Sequence, residues 1–208
     1  MFDLYNAEMM SAITDLWIAG VALYAFVQFK KSGTDTLAKK YYAWHFLLMA
    51  LATTFGGLAG HAFSEILSTA WKLPGWLLSM LSVTLLERAI IEQSKSVMNL
   101  KWIKALLVLN MAELFVFSGL VIYTQNFHFV EYHAAYGLLF VILGVGLLQL
   151  KHLKLAVLKW LFTGVLFGII SATVFTLKIG VNTSFDHVSV SHMLLSISVF
   201  CFYKQGIK

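Results

Sequence analysis

Long stretches of this chain are apolar on every face, without the strict alternation of a half-buried strand. Seven such stretches can be marked, at roughly residues 9–29, 41–63, 73–87, 102–124, 129–150, 155–177 and 187–203. A helix crossing a hydrocarbon core needs ~20 mostly apolar residues, and the third and seventh stretches are the shortest. Lipid cannot satisfy open backbone groups, so helix is the expected spanning structure. The runs also lack the period-two pattern of a membrane barrel. The pattern therefore predicts an all-α, integral membrane bundle of seven transmembrane helices, a single domain over residues 1–208.

Composition sharpens this reading. The chain is 60% hydrophobic and 12% charged, with a mean hydropathy of +0.81 and one proline. Soluble domains carry roughly 25% charged residues, so no separate soluble domain is expected. Cys201 is the single cysteine, which excludes an intrachain disulfide and a cysteine-ligated cluster. The N-terminal MFDLYNAE has no basic flank before the first apolar run. That segment is therefore expected to remain as a spanning helix instead of being cleaved as a signal peptide.

The net charge of +5 invites a nucleic-acid reading, but the basic residues sit in short connections between spans. Lys30, Lys31, Lys39 and Lys40 share the first connection; Arg88, Lys95, Lys101 and Lys104 the third; Lys151, Lys154 and Lys159 the fifth; Lys204 and Lys208 lie in the tail. Only Lys72 and Lys178 fall on the opposite side. The positive-inside rule then predicts an N-terminus outside and a cytoplasmic C-terminus. The expected partner is the lipid bilayer, not nucleic acid. The expected location is an integral, multi-pass membrane protein, in the plasma membrane if the source is bacterial, with the site facing the outer side.

With that orientation the outer half collects imidazoles and carboxylates. His61, His128, His133, His187 and His192 fall there, with Asp3, Glu8, Asp15, Glu65, Glu131 and Asp186; His45 and His152 fall on the inner side. Ionisable groups at membrane depth are costly, so their convergence points to a site. His61 lies in GHAFSE, and His187 and His192 lie in FDHVSVSH. Imidazole is the commonest protein ligand for transition metals, so these three are candidate metal ligands. The competing reading leaves each at the interface, bonded to water or backbone. On a regular helix His187 and His192 diverge by roughly 140°. Both reach one ion only if the last helix begins after His187 or is irregular there.

Asp15 and Asp186 are the candidate catalytic carboxylates. Asp15 lies about two turns into the first helix, where it either orients a ligand histidine and handles protons or ties that helix to the bundle. Asp186 directly precedes the last helix, as a general base or as its N-cap. Glu65 shares a face with His61 on a continuing helix. Glu113 lies mid-span, one turn from Asn110, as a structural hydrogen bond or a proton-handling group. His128 and His133, flanking Glu131, are reserve ligands. Gly56, Gly57 and Gly60 narrow one face of the second helix, for close packing or to leave room beside His61.

Seven spans, a histidine near the outer end of the second and a histidine pair at the seventh resemble the alkaline ceramidase and adiponectin-receptor superfamily, which includes hemolysin-III-like proteins. The resemblance implies zinc held by His61, His187 and His192, with a water attacking an amide carbonyl of a lipid substrate. The N-out topology and a site on the N-terminal side look like the ceramidase branch. Two positions depart from the family pattern. Gly57 stands where a serine usually precedes the first histidine by four residues, and Val188 stands where the last motif usually has a histidine. Thr53 and Thr54 offer hydroxyls near the first departure, though not at the usual spacing.

Two other functions fit the same composition. Haem-binding electron transfer would use histidines such as His45 and His61. A non-catalytic receptor or transporter would draw on Glu113, although no inverted repeat is visible. A retinal protein is not expected, because the seventh span has no central lysine for a Schiff base.

Overall fold

The computed structural model describes residues 2–33 and 35–208, with side chains from Asn6 onward; Asp3 lies outside the described side chains. Among the described residues seven long helices follow one another without a strand. They are α1 (Phe2–Ser32), α2 (Leu37–Ala62), α3 (Leu73–Gln93), α4 (Leu100–Thr124), α5 (His128–Gln149), α6 (Leu155–Thr176) and α7 (His187–Gly206). All but α7 are long and apolar enough to cross a membrane. Two helices change pitch: α2 ends in a π-helical turn at Gly56–Ala62, and α5 contains another at Gly137–Ile142. Such π segments are rare and recur at functional sites.

The helices close into a ring. α1 packs on α2 and α7, α2 on α3, α3 on α4 and α5, and α6 on α5 and α7. Short connections make neighbours antiparallel. One end of the bundle therefore carries the start of α1, the end of α2 and the start of α7, and with them His61, His187 and His192. The other end carries most of the lysines. One core runs through the ring, built on the stacked rings of Phe29, Tyr42 and Phe46.

α7 is the least apolar helix because its polar residues face inward. Ser189, Ser191, Ser196 and Ser198 are all buried. The Ser198 hydroxyl donates to the Gly164 carbonyl at 2.7 Å, and the Ser171 hydroxyl donates to the Ser191 carbonyl at 2.7 Å. The Ser11 and Ser189 hydroxyls lie 3.3 Å apart across α1 and α7. The neighbours of α7 satisfy these groups, so the helix does not need the hydropathy of an isolated span.

The structure corrects one boundary. The third span was expected to end at Glu87, with Arg88 in the following loop. The helix instead continues to Gln93, and Glu87 is fully buried. Asn110 of α4 donates to Glu87 Oε2 at 2.9 Å, and Arg88 Nε donates to Asn110 Oδ1 at 2.8 Å. The charged pair marks a polar contact inside the bundle, not its edge. Arg88 is therefore a helix residue and not one of the loop cations.

The close packing can be tested at α7. A Cβ at Gly206 would lie 2.7 Å from the buried Tyr42 ring, whereas one at Gly119 would meet nothing within 4 Å. Gly206→Leu should lower unfolding stability by ~1–3 kcal/mol through overpacking, and Gly119→Leu should change it little. Thermal unfolding of the detergent-solubilised chain reads the difference.

Candidate metal centre at the junction of three helices

Asp15, His61 and His192 come from α1, α2 and α7 and meet near one end of the ring. One ligand atom from each lies within 4.8 Å of the others. His61 Nε2 is 3.8 Å from Asp15 Oδ2, and His192 Nε2 is 3.6 Å from Asp15 Oδ1. The two imidazole rings stand edge to face, 5.9 Å between centroids.

Backbone packing brings α1 this close to α2. A Cβ at Gly57 would lie 3.0 Å from the Ala12 carbonyl oxygen and 3.2 Å from Asp15 Cβ, and one at Gly56 would lie 2.9 Å from Asp15 Oδ2. Two glycines in the π turn therefore let the carboxylate rest against bare backbone. Gly60 plays no such part, since nothing lies within 4 Å of its Cβ direction.

The hydrogen bonds set the histidine tautomers. His61 Nδ1 lies 2.8 Å from Glu8 Oε2. An ionised carboxylate only accepts, so the proton is on Nδ1 and the Nε2 lone pair faces Asp15. His192 Nδ1 lies 3.0 Å from Thr14 Oγ1. The Thr14 hydroxyl already donates to the Ser11 carbonyl at 3.0 Å or the Met10 carbonyl at 3.1 Å, so it accepts from Nδ1. His192 Nε2 is left with its lone pair aimed at the same point. Zinc-type sites are built this way, with the outer ring N–H of each ligand histidine held by a carboxylate or another acceptor.

The spacing also fits a shared ion. Contacts of 3.6 and 3.8 Å are too long for hydrogen bonds. Two N or O ligands on one tetrahedral zinc stand about 3.4 Å apart. The donor set, two imidazoles and one carboxylate, suits zinc or another first-row divalent ion.

His187 is not part of this group. The helix starts at His187 itself, capped by Asp186, whose Oδ1 accepts from the Ser189 N–H at 3.0 Å. The late or irregular start needed to align His187 with His192 does not occur. The His187 ring packs 5.6 Å from that of Phe175, and its Nδ1 lies 3.9 Å from Asp186 Oδ2. Asp15 is the third member of the cluster in place of His187, and Asp186 serves as the N-cap. Sequence reasoning also passed over Glu8 and Thr14 as orienting groups. A signal existed: Glu8 and Asp15 are seven apart, so a regular helix puts both on one face, a turn either side of Ser11.

The chain belongs to DUF6962. The family is described as one of unknown function, and its match covers residues 10–208. No curated protein and no solved structure matches the chain.

The remaining DUF6962 residues singled out from sequence lie elsewhere. Glu65 is exposed and lines a small pocket of ≈ 110 Å³ with His61 and Glu8. His128 is exposed and pairs with Glu131. Thr53 and Thr54 bond back to backbone carbonyls one turn earlier. His45 is buried, its Nδ1 2.9 Å from the Ser82 carbonyl and 2.8 Å from the Ser82 hydroxyl, which ties α2 to α3. His45 and His61 are roughly 24 Å apart along one helix.

The tautomer assignment has a direct consequence. Long-range ¹⁵N–¹H spectra of histidine-labelled protein, stripped of metal, should show His61 and His192 protonated at Nδ1. Thr14→Val should remove that preference at His192 and leave His61 unchanged.

Proposed function

We propose that this chain is a membrane-embedded, zinc-dependent hydrolase that acts on a lipid, most simply at an amide bond. The convergence of Asp15, His61 and His192, with both Nε2 lone pairs turned inward, carries the reading. The seven-span resemblance to the ceramidase-like superfamily supports the same chemistry, with Asp15 in the ligand position first given to His187. The lysine-rich connections favour a bundle with its histidine end on the outer face.

One cavity is lined by His61, and a second runs along α1 beyond Asp15. An apolar groove of ≈ 370 Å³ is lined by Leu16, Trp17, Gly20, Val21, Tyr24 and Phe200. It begins at the residue after Asp15 and follows α1 towards the lysine end for roughly 12 Å. Its shape and apolar lining suit an acyl chain arriving sideways from the bilayer. The pocket beside His61 is more polar, with Glu8, Ser64 and Glu65 in its wall, and suits a headgroup.

A divalent ion in the triad would supply Lewis acidity and would lower the pKa of a water to about 7. The chain's own groups do the rest. Glu8 and Thr14 hold the imidazoles so that neither ring can turn its Nε2 away. Asp15, on its glycine shelf, keeps its two oxygens towards the two rings. Glu65 stands in the pocket wall, placed to accept a proton from a water there and return it to a leaving amine.

Elemental analysis of detergent-purified protein never exposed to chelator tests the centre. About one zinc per chain is expected at this triad. Asp15→Asn, His61→Ala and His192→Ala should each weaken zinc binding at least tenfold, while His187→Ala should retain it. No triad-dependent metal in folded protein refutes the proposal. The lipid part has its own test. Gly20→Phe should fill the groove and suppress hydrolysis of N-acyl lipids without changing zinc content, since a Cβ at Gly20 meets nothing within 4 Å.

A further inference from the structure

A second group of ligand-type side chains lies between α3, α4 and α5, on helices that contribute nothing to the triad. Glu87, Glu113 and His133 each offer an atom within 4.8 Å of the others. Burial is near complete, at 0% exposure for Glu87 and His133 and 7% for Glu113. Glu87 Oε1, both Glu113 oxygens and His133 Nδ1 find no hydrogen-bond partner among the described residues.

The surroundings orient these groups without neutralising them. Arg88 can only donate, so the Asn110 carbonyl oxygen faces Arg88 and its amide NH₂ faces α3. That NH₂ donates to Glu87 Oε2 and to the Thr84 carbonyl, leaving Glu87 Oε1 turned towards the group. A Cβ at Gly137 would overlap Glu87 Oε1, so the carboxylate rests on bare backbone where the π turn of α5 begins. His133 Nε2 is 3.8 Å from Glu113 Oε1 and, in a long contact, 3.4 Å from Thr84 Oγ1, whose hydroxyl donates to the Met80 carbonyl at 3.0 Å. The first distance is too long for a hydrogen bond and close to the separation of two ligands on one ion.

We propose that Glu87, Glu113 and His133 form a second divalent transition-metal site, inside the bundle and independent of the Asp15–His61–His192 triad. Two carboxylates and a neutral imidazole balance a 2+ ion, and that ion would satisfy three otherwise orphaned oxygens. Unpaired carboxylates in an apolar bundle are strongly disfavoured, so their convergence calls for a cation. The mixed nitrogen and oxygen set favours zinc, manganese, iron or cobalt over magnesium or calcium. The parallel with the triad is structural. In both places a carboxylate lies against a glycine of a π turn, and an imidazole comes from a neighbouring helix or turn.

The test uses the full chain with the triad disabled by Asp15→Asn, His61→Ala and His192→Ala together. Titration with Mn²⁺, followed by electron paramagnetic resonance, should show one bound ion per chain. ¹⁵N-histidine labelling should reveal a single coordinated imidazole. Adding Glu113→Gln or His133→Ala should weaken binding at least tenfold. No bound ion in the folded triad variant overturns the proposal and leaves a proton-sharing carboxyl pair. An ion without histidine coupling overturns it as well, and that reading needs no further variant to fold. Failure here is separable from failure of the hydrolase proposal, because the triad is absent throughout.

Discussion

The approach of α1 to α2 at Gly57 governs the triad. With no side chain there, the Ala12 carbonyl and the Asp15 Cβ lie directly against the α2 backbone. A buried aspartate is costly on its own, and this contact delivers it to two imidazoles. Widening the helix by one methyl group would push Asp15 away from His61 and remove the one carboxylate between the two rings. The π turn matters for the same reason. It shifts the register of Gly56–Ala62 relative to the helix below, so His61 faces α1 while the glycines face it too.

The polar interior of α7 makes such a site compatible with an apolar ring. A hydroxyl inside a helical bundle is tolerated when a neighbouring carbonyl accepts from it. Ser171 and Ser198 make such bonds between α6 and α7, and Ser11 meets Ser189 between α1 and α7. These contacts fix α7 against α1 at the level where His192 must meet Thr14. The helix that looks weakest by hydropathy is thus held in register by its neighbours.

Most of the architecture was legible along the chain. Continuous apolar runs of helical length, separated by short charged connections, leave few alternatives to a bundle of seven helices. The connections also make plain which helix ends share a side. The end of α3 was not legible, because Glu87 and Arg88 read as a solvated border. Their partner Asn110 lies on another helix, and nothing local announces that contact.

The same division holds for the triad. The types and approximate depths of His61, His192 and Asp15 could be read directly, since ionisable groups in apolar runs stand out. Which of them meet depends on helix phase and on how close two backbones come. His187 and His192 are near in sequence but diverge around α7 once Asp186 caps it. Asp15 is remote from both histidines, yet the glycine contact closes that distance. Periodicity and charge, which are properties of each segment alone, determined the helices and their ends. The meeting of side chains from three helices was decided only by tertiary packing, because the close approach depends on the shapes of two surfaces at once.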